Sequence, residues 1–187
     1  MRAFFALPIT AQPKQQLVAQ RLRLEAQSSE SRMRWVPADN YHITLAFLGE
    51  VASGDVAELA SIAATVVDRH QGADLSISQL AWFPSVAKPH LLAAVLAESA
   101  ALHALQQDLT TQLNPLAVIP PKHKFRPHIT LAYAPRGLQT KPLLSIDQPL
   151  QIAMNQLVLF ESQRRATGND YLPLHCWPIA QQPLPSA

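Results

Sequence analysis

Two stretches of this chain read almost alike: His42-Ile43-Thr44-Leu45-Ala46-Phe47 and His128-Ile129-Thr130-Leu131-Ala132-Tyr133. Five positions are identical, and the sixth is aromatic in both copies. An internal repeat is the natural place to begin a reading. Each copy carries β-branched and aromatic residues and reads as a strand. Successive side chains of a strand alternate faces. On simple alternation His42, Thr44 and Ala46 share one face, with Ile43, Leu45 and Phe47 on the other. The second copy divides the same way, His128, Thr130 and Ala132 against Ile129, Leu131 and Tyr133. Each strand then has one apolar face for a core and one face with an imidazole, a hydroxyl and a small residue. Two such faces meeting across a cleft would present two histidines and two threonines to a bound group.

Working outward, the chain around each copy alternates strands with helices. Arg2 to Ile9 reads as a strand, and residues 12–27 as a helix with Pro13 near its start. Residues 28–40 are polar, include Pro37, and read as a loop. After the first copy, residues 53–68 form a second helix, with Val56, Leu59, Ala63 and Val67 on one face and Ser53 or Asp55 as its cap. Residues 74–83 and 90–96 are strands about a turn at 84–89. Residues 99–113 are a third helix, followed by a proline-rich basic loop over 115–127. Residues 150–160 form one long strand and 170–174 a last one. The tail, 178–187, has few core-forming residues and is expected to fray. Interleaved helices and tightly turned strands favour an α+β fold with largely antiparallel sheets.

Composition narrows the function classes. At 187 residues, with 48% hydrophobic and 15% charged residues, the chain reads as one globular domain. No apolar run approaches the ~20 residues needed to span a bilayer. The apolar stretch in Met1-Arg2-Ala3-Phe4-Phe5-Ala6-Leu7-Pro8 is too short for a signal-peptide core, so a cytoplasmic location is expected. Cys176 is the only cysteine, which excludes an internal disulfide and a cysteine cluster for zinc. His42 and His128 have no Asp, Glu or Cys at ligand spacing, so no metal site is expected. The five glycines form no GxGxxG or GxxxxGK[ST] motif, against Rossmann or P-loop binding. Net charge is only +2, but the chain between Asp108 and Asp147 has no acidic residue and carries Lys122, Lys124, Arg126, Arg136 and Lys141. Such a local field attracts phosphate.

Two imidazoles titrating near neutrality can serve as general base and general acid in one phosphodiester cleavage. Threonine hydroxyls can donate to the non-bridging oxygens whose charge grows in the transition state. No metal or other cofactor is required.

With the opening Arg2-x-Phe-Phe-Ala-Leu, the run Asn40-Tyr41-His42-Ile43-Thr44-Leu45-Ala46-Phe47-Leu48-Gly49-Glu50, and Pro127-His128-Ile129-Thr130-Leu131, the chain resembles the two-histidine phosphoesterase superfamily. Within it the likeness is to the RNA 2′,3′-cyclic phosphodiesterases, also called 2′-5′ RNA ligases, and it runs up to about Trp177. The resemblance implies a single domain of two pseudo-symmetric lobes, each with an antiparallel sheet and helices, and an active-site groove between. It implies hydrolysis of RNA 2′,3′-cyclic phosphate ends to 2′-phosphates, with reverse 2′-5′ ligation in vitro. It implies His42 as proton donor, His128 as proton acceptor, and Thr44 and Thr130 as phosphate holders. The partners implied are RNA ends, tRNA fragments among them, or a nucleotide; the expected unit is a monomer, without a membrane. Many relatives carry a basic residue where this chain has Tyr133, and Arg126 and Arg136 are candidates to replace it. Tyr133 and Phe5 are further candidate substrate contacts; Phe5, Trp35 and Phe83 could stack on a base. Two other readings stand beside this one: a non-catalytic RNA-end or nucleotide-binding module, and a phosphodiesterase for another small cyclic phosphate.

Overall fold

A computed structural model describes the chain except residues 28–32, 117–123, 139–145, 147–148, 167 and 182–187. Its elements in chain order are β1 (Arg2–Pro8), α1 (Ala11–Gln27), β2 (Arg34–Trp35), β3 (His42–Glu50), α2 (Val56–Val67), β4 (Asp74–Pro84), β5 (Pro89–Leu96), α3 (Ala100–Leu113), β6 (His128–Tyr133), β7 (Leu150–Ala153), β8 (Gln156–Arg165) and β9 (Gly168–Pro178). The fold is α+β, as the patterning indicates. Helix α2 buries Leu59, Ala63, Val66 and Val67 and follows a short 3₁₀ turn over Ser53–Asp55; neither Ser53 nor Asp55 supplies a side-chain cap. Helix α3 buries Leu102, Leu105, Leu109 and Leu113 and is capped by Ser99, whose Oγ accepts from the Leu102 amide at 3.3 Å.

The strands run in the order β7-β4-β5-β6-β3-β1-β8-β9, with β2 added beside β6, and neighbours pair antiparallel. The order falls into two halves of four strands, β7-β4-β5-β6 and β3-β1-β8-β9. Each half contains a strand, a helix and an antiparallel return strand: β1-α1-β3 in one and β5-α3-β6 in the other. The halves are not separate sheets. They join through β3 and β6, which meet at a single pair, Ile43 opposite Ile129. Both isoleucines are fully buried.

Beyond that pair each central strand finds other partners. Residues 34–35, expected as loop, form β2 and cover β6 at Ala132 and Tyr133. The long strand expected over 150–160 is broken at Met154-Asn155. Its first part, β7, pairs with β4 in one half, and its second, β8, with β1 in the other, so the chain crosses between the halves there. Of the tail expected to fray, residues 178–181 are described and 182–187 lie outside the described residues. Pro178 belongs to β9, Ile179 is buried, its amide donates to the Asn155 carbonyl at 2.9 Å, and the Gly72 amide donates to Ala180 at 2.7 Å. Gly72 has no room for a Cβ, which would lie 2.7 Å from the Met154 carbonyl.

Simple alternation fails in both copies of the repeat, and at the same place. On β3 the register with β1 runs from Thr44 to Ala46 and passes over Leu45. On β6 the register with β5 runs from Thr130 to Ala132 and passes over Leu131. Each is a β-bulge, two residues opposing one, which resets the phase of the strand after it. Ala46 and Ala132 therefore join Leu45 and Leu131 in the core, while Phe47 is 69% and Tyr133 37% exposed. The expected positions of these four residues are reversed. The bulged residues' carbonyls are satisfied from outside the ladder: Gln106 Nε2 on α3 donates to Leu45 at 3.4 Å, and the Val36 amide to Leu131 at 2.9 Å.

Candidate active site

The register at the centre of the sheet fixes how the four repeat residues meet. In an antiparallel pair centred on Ile43 and Ile129, position 42 stands across from 130 and position 44 across from 128. His42 thus faces the Thr130 side and His128 the Thr44 side, about an approximate two-fold axis between the isoleucines. The isoleucines go down into the core, and the four polar residues lie half-buried on the opposite face. The two imidazoles are close enough for the charge of one to weigh on the other: His128 contributes to the lowering of the His42 pKa.

Both rings are held alike. His42 Nδ1 lies 2.7 Å from the Asn40 carbonyl, and His128 Nδ1 lies 2.7 Å from the Arg126 carbonyl. A carbonyl only accepts, so each Nδ1 carries its proton and, in the neutral ring, each Nε2 is left as an acceptor. The side chains of Asn40 and Arg126 tie each loop to a hairpin. Asn40 Nδ2 donates to the Asn169 carbonyl at 2.7 Å, in the β8–β9 hairpin. Arg126 donates to the Pro84 carbonyl at 3.4 Å, in the β4–β5 hairpin.

The surroundings then diverge. Aromatic rings gather about His42: Phe4 at 5.0 Å, Tyr171 edge-on at 5.2 Å and Phe160 at 6.4 Å, with Phe47 6.0 Å from Phe4. Its Nε2 lies 3.0 Å from Thr44 Oγ, so the Thr44 hydroxyl donates to it. Burial is the main cause that drives the His42 pKa down to about 4, opposed by the Asn40 carbonyl and reinforced by His128. His128 has Phe83 at 4.6 Å, and the Arg126 guanidinium lies 4.1 Å over the same Phe83 ring. Its pKa is also lowered, first by burial, with the Arg126 carbonyl opposing and the Arg126 charge adding. Among the described residues no hydrogen bond reaches His128 Nε2 or Thr130 Oγ.

Of the other candidates, Phe83 and Arg126 stand at His128 and Tyr133 lies on the open face at the far end of β6. Arg136 is exposed in the turn after β6, with no ion pair to a described residue. Phe5 is a correction. It is fully buried in the core against Trp177, because it shares a strand face with Ala3 and Leu7; its neighbour Phe4 occupies the site face. Trp35 packs against the core with Arg21 at 5.5 Å. Lys122 and Lys141 lie outside the described residues. Phe4, Tyr171 and Arg34, which stacks at 4.4 Å on Tyr133, were not singled out in the sequence. Strand alternation around Phe5 was the one signal available, and it pointed to Phe4.

Among the described residues no group of three His, Cys, Asp or Glu side chains could hold a metal ion. No helix there is long and apolar enough to cross a membrane. A depression lined by Pro8, Thr10, Asn155 and Gln156 opens at the ends of β1 and β8 and includes neither histidine.

Residues 7–92 match the family described as LigT like Phosphoesterase. An RNA 2′,3′-cyclic phosphodiesterase of Geobacillus stearothermophilus is 29% identical over 188 residues, covering 96% of this chain and 58% of that protein. This chain therefore spans little more than half the length of that relative. A protein of the same name from Escherichia coli strain K12 is 26% identical over 96% of this chain and 97% of its own length. The crystal structure of E. coli LigT complexed with 3′-AMP superposes with a TM-score of 0.75 at 25% identity, covering 96% of this chain and 98% of that one.

Proposed function

We propose that the chain is a member of the LigT-like phosphoesterase family, to which residues 7–92 are matched, and that it hydrolyses RNA 2′,3′-cyclic phosphate ends to 2′-phosphates, as the names of relatives 26–29% identical to it suggest. His42 is the proton donor and His128 the proton acceptor, with Thr44 and Thr130 holding the phosphate. The observation that carries this reading is the pairing of Ile43 with Ile129, which sets two His-x-Thr units across an approximate two-fold axis on one open face.

The chemistry follows from the rings' tautomers. The His128 Nε2 lone pair takes a proton from water as the water oxygen bonds to phosphorus. The P–O3′ bond breaks, and His42 Nε2 protonates the departing 3′ oxygen. Thr130 and Thr44 donate to the non-bridging oxygens. His42 must carry a second proton to act, yet its pKa in the free protein lies near 4. A phosphodiester anion beside it opposes that shift, since a nearby negative charge favours the imidazolium. Substrate then arrives with proton uptake, and the Thr44 hydroxyl, released from His42 Nε2, turns to a phosphate oxygen. The same steps, with a 5′-hydroxyl in place of water, would form a 2′-5′ linkage.

One chain supplies both units, so the working unit is taken as a monomer, and an exposed, unpaired Cys176 suits a reducing, cytoplasmic setting. tRNA fragments are one source of such ends. The test is product analysis on a short oligonucleotide ending in a 2′,3′-cyclic phosphate, with and without EDTA. A 2′-phosphate product formed at the same rate with EDTA is the expected result. A 3′-phosphate product would exchange the two oxygens' roles. Tight binding without turnover would make the chain an end-binding module instead, and turnover confined to small cyclic phosphates would redirect the substrate.

A further inference from the structure

If the 3′ oxygen departs toward His42, the ribose lies on the His42 side of the groove, and the rest of an RNA chain must leave from there. The structure offers a defined way out. The Tyr171 ring stands edge-on to His42 at 5.2 Å. Next comes Tyr133, which the β6 bulge turns out of the core onto this face. The Arg34 guanidinium lies 4.4 Å over the Tyr133 ring, held there because β2 pairs Arg34 with Tyr133. The three groups are mutual neighbours. Burial raises the Tyr171 pKa, the Tyr133 phenol adds to the shift, and Asn169 and the Arg34 charge oppose it.

Arg34 is exposed, and among the described residues no carboxylate pairs with it. An arginine used only for surface packing is commonly paired or lies on apolar stem contacts. This one lies over a tyrosine ring, and among the described residues no hydrogen bond or ion pair takes its donors, an arrangement that suits a phosphodiester. Tyr133 is three residues along β6 from Thr130, roughly 10 Å at strand rise. That is the reach of a neighbouring nucleotide rather than of the reacting phosphate.

We propose that Arg34, seated on Tyr133, binds the phosphodiester on the 5′ side of the terminal nucleotide, so that the site selects RNA chain ends over cyclic mononucleotides. The proposal rests on the reading above that the reacting group is a ribose 2′,3′-cyclic phosphate. It makes Arg34 a specificity residue that touches the chain and takes no part in proton transfer.

The experiment compares 2′,3′-cyclic AMP with an adenosine dinucleotide ending in a 2′,3′-cyclic phosphate. For the wild-type protein kcat/KM is higher on the dinucleotide. Its logarithm falls more steeply with log salt, by a slope difference of about 0.7 for one contacted phosphate on a single strand. Arg34→Gln lowers the dinucleotide-to-mononucleotide ratio of kcat/KM about tenfold, the loss falling on KM, and removes the slope difference. Arg34→Lys keeps the charge without the flat stack and retains part of the ratio. Equal kcat/KM values and equal salt slopes for the two wild-type substrates overturn the inference without any variant. A ratio that survives Arg34→Gln also overturns it. Wild-type protein that turns over neither substrate sinks the functional reading itself, a result distinct from turning over both alike.

Discussion

The surroundings of His42 and His128 differ although the strands that carry them do not. Both rings follow the same letters, sit before the same bulge, and donate Nδ1–H to the carbonyl two residues back at the same 2.7 Å. Around His42 are three rings and a hydroxyl aimed at Nε2; around His128 are one ring and a guanidinium. On the proposed mechanism the repeated backbone supplies two equivalent proton-transfer groups, and the rings and guanidinium from outside the repeat, with the Thr44 hydroxyl that engages only His42, make them unlike. An acid and a base built from one residue type need that inequality, because the two must hold opposite protonation states in the same complex.

The largest effect that could break the comparison is loss of either ring. His42→Ala and His128→Ala are each expected to lower kcat by about 10²–10⁴. The roles separate with a phosphodiester whose leaving group is nitrophenolate, which departs without a proton. On that substrate His42→Ala recovers most of its loss and His128→Ala does not. Recovery by His128→Ala instead would reverse the assignment, and recovery by both would remove the distinction between the two units.

The second test reads the rings directly. NMR titration of the free protein is expected to place His42 near 4 and His128 below the ordinary 6.5. Saturating adenosine 2′-phosphate, the product analogue, is expected to raise His42. A His42 titration that product leaves in place would contradict proton uptake on binding. The same shift bears on stability. His42 is neutral in the folded chain, and its unfolded counterpart gains a proton as pH falls below about 6.5. The unfolded state therefore binds more protons, and stability is lost from pH 6.5 down to 4, by roughly 3 kcal/mol. Denaturant midpoints across that window measure it, and His42→Asn should flatten the profile.

Much of this molecule was legible in its letters. The repeat singled out the two histidines and two threonines that β3 and β6 bring to one face, and apolar spacing gave the three helices within a few residues. The errors within the repeat have one physical source. A bulge carries no residue signature, so His-Ile-Thr-Leu-Ala-Phe reads as plain alternation, and only the paired register puts Phe47 and Tyr133 on the open face. Residues 34–35 become a strand only because β6 needs a partner where it parts from β3, so Arg34 could not be found by pattern. The run 150–160 is apolar except at Gln151, Asn155 and Gln156, and its one polar pair, Asn155-Gln156, sits where the chain crosses between half-sheets, too short a break to stand out from a single long strand. Phe5 was a different kind of miss. Its face follows from the alternation of Ala3, Phe5 and Leu7, which the letters already contain.

The smallest effect concerns the bulges themselves, where the two halves again solve one problem by different means. Each bulged leucine offers a carbonyl that the ladder does not use. For Leu131 the donor is the Val36 backbone amide, which no substitution other than proline removes. For Leu45 it is the Gln106 side chain, the buried polar side chain of α3, at a long 3.4 Å. Gln106→Leu keeps the volume and apolar packing of the helix but leaves the Leu45 carbonyl unpaired. The expected cost is about 1 kcal/mol, at the low end for a buried unsatisfied group because the bond replaced is long. A shift of the urea midpoint of that size, with no change in the slope of the transition, would show that the first half-sheet holds its bulge through α3. A midpoint at or above the wild-type value would mean that the bulge on β3 is held by its own strands, and that Gln106 is a passenger in the core.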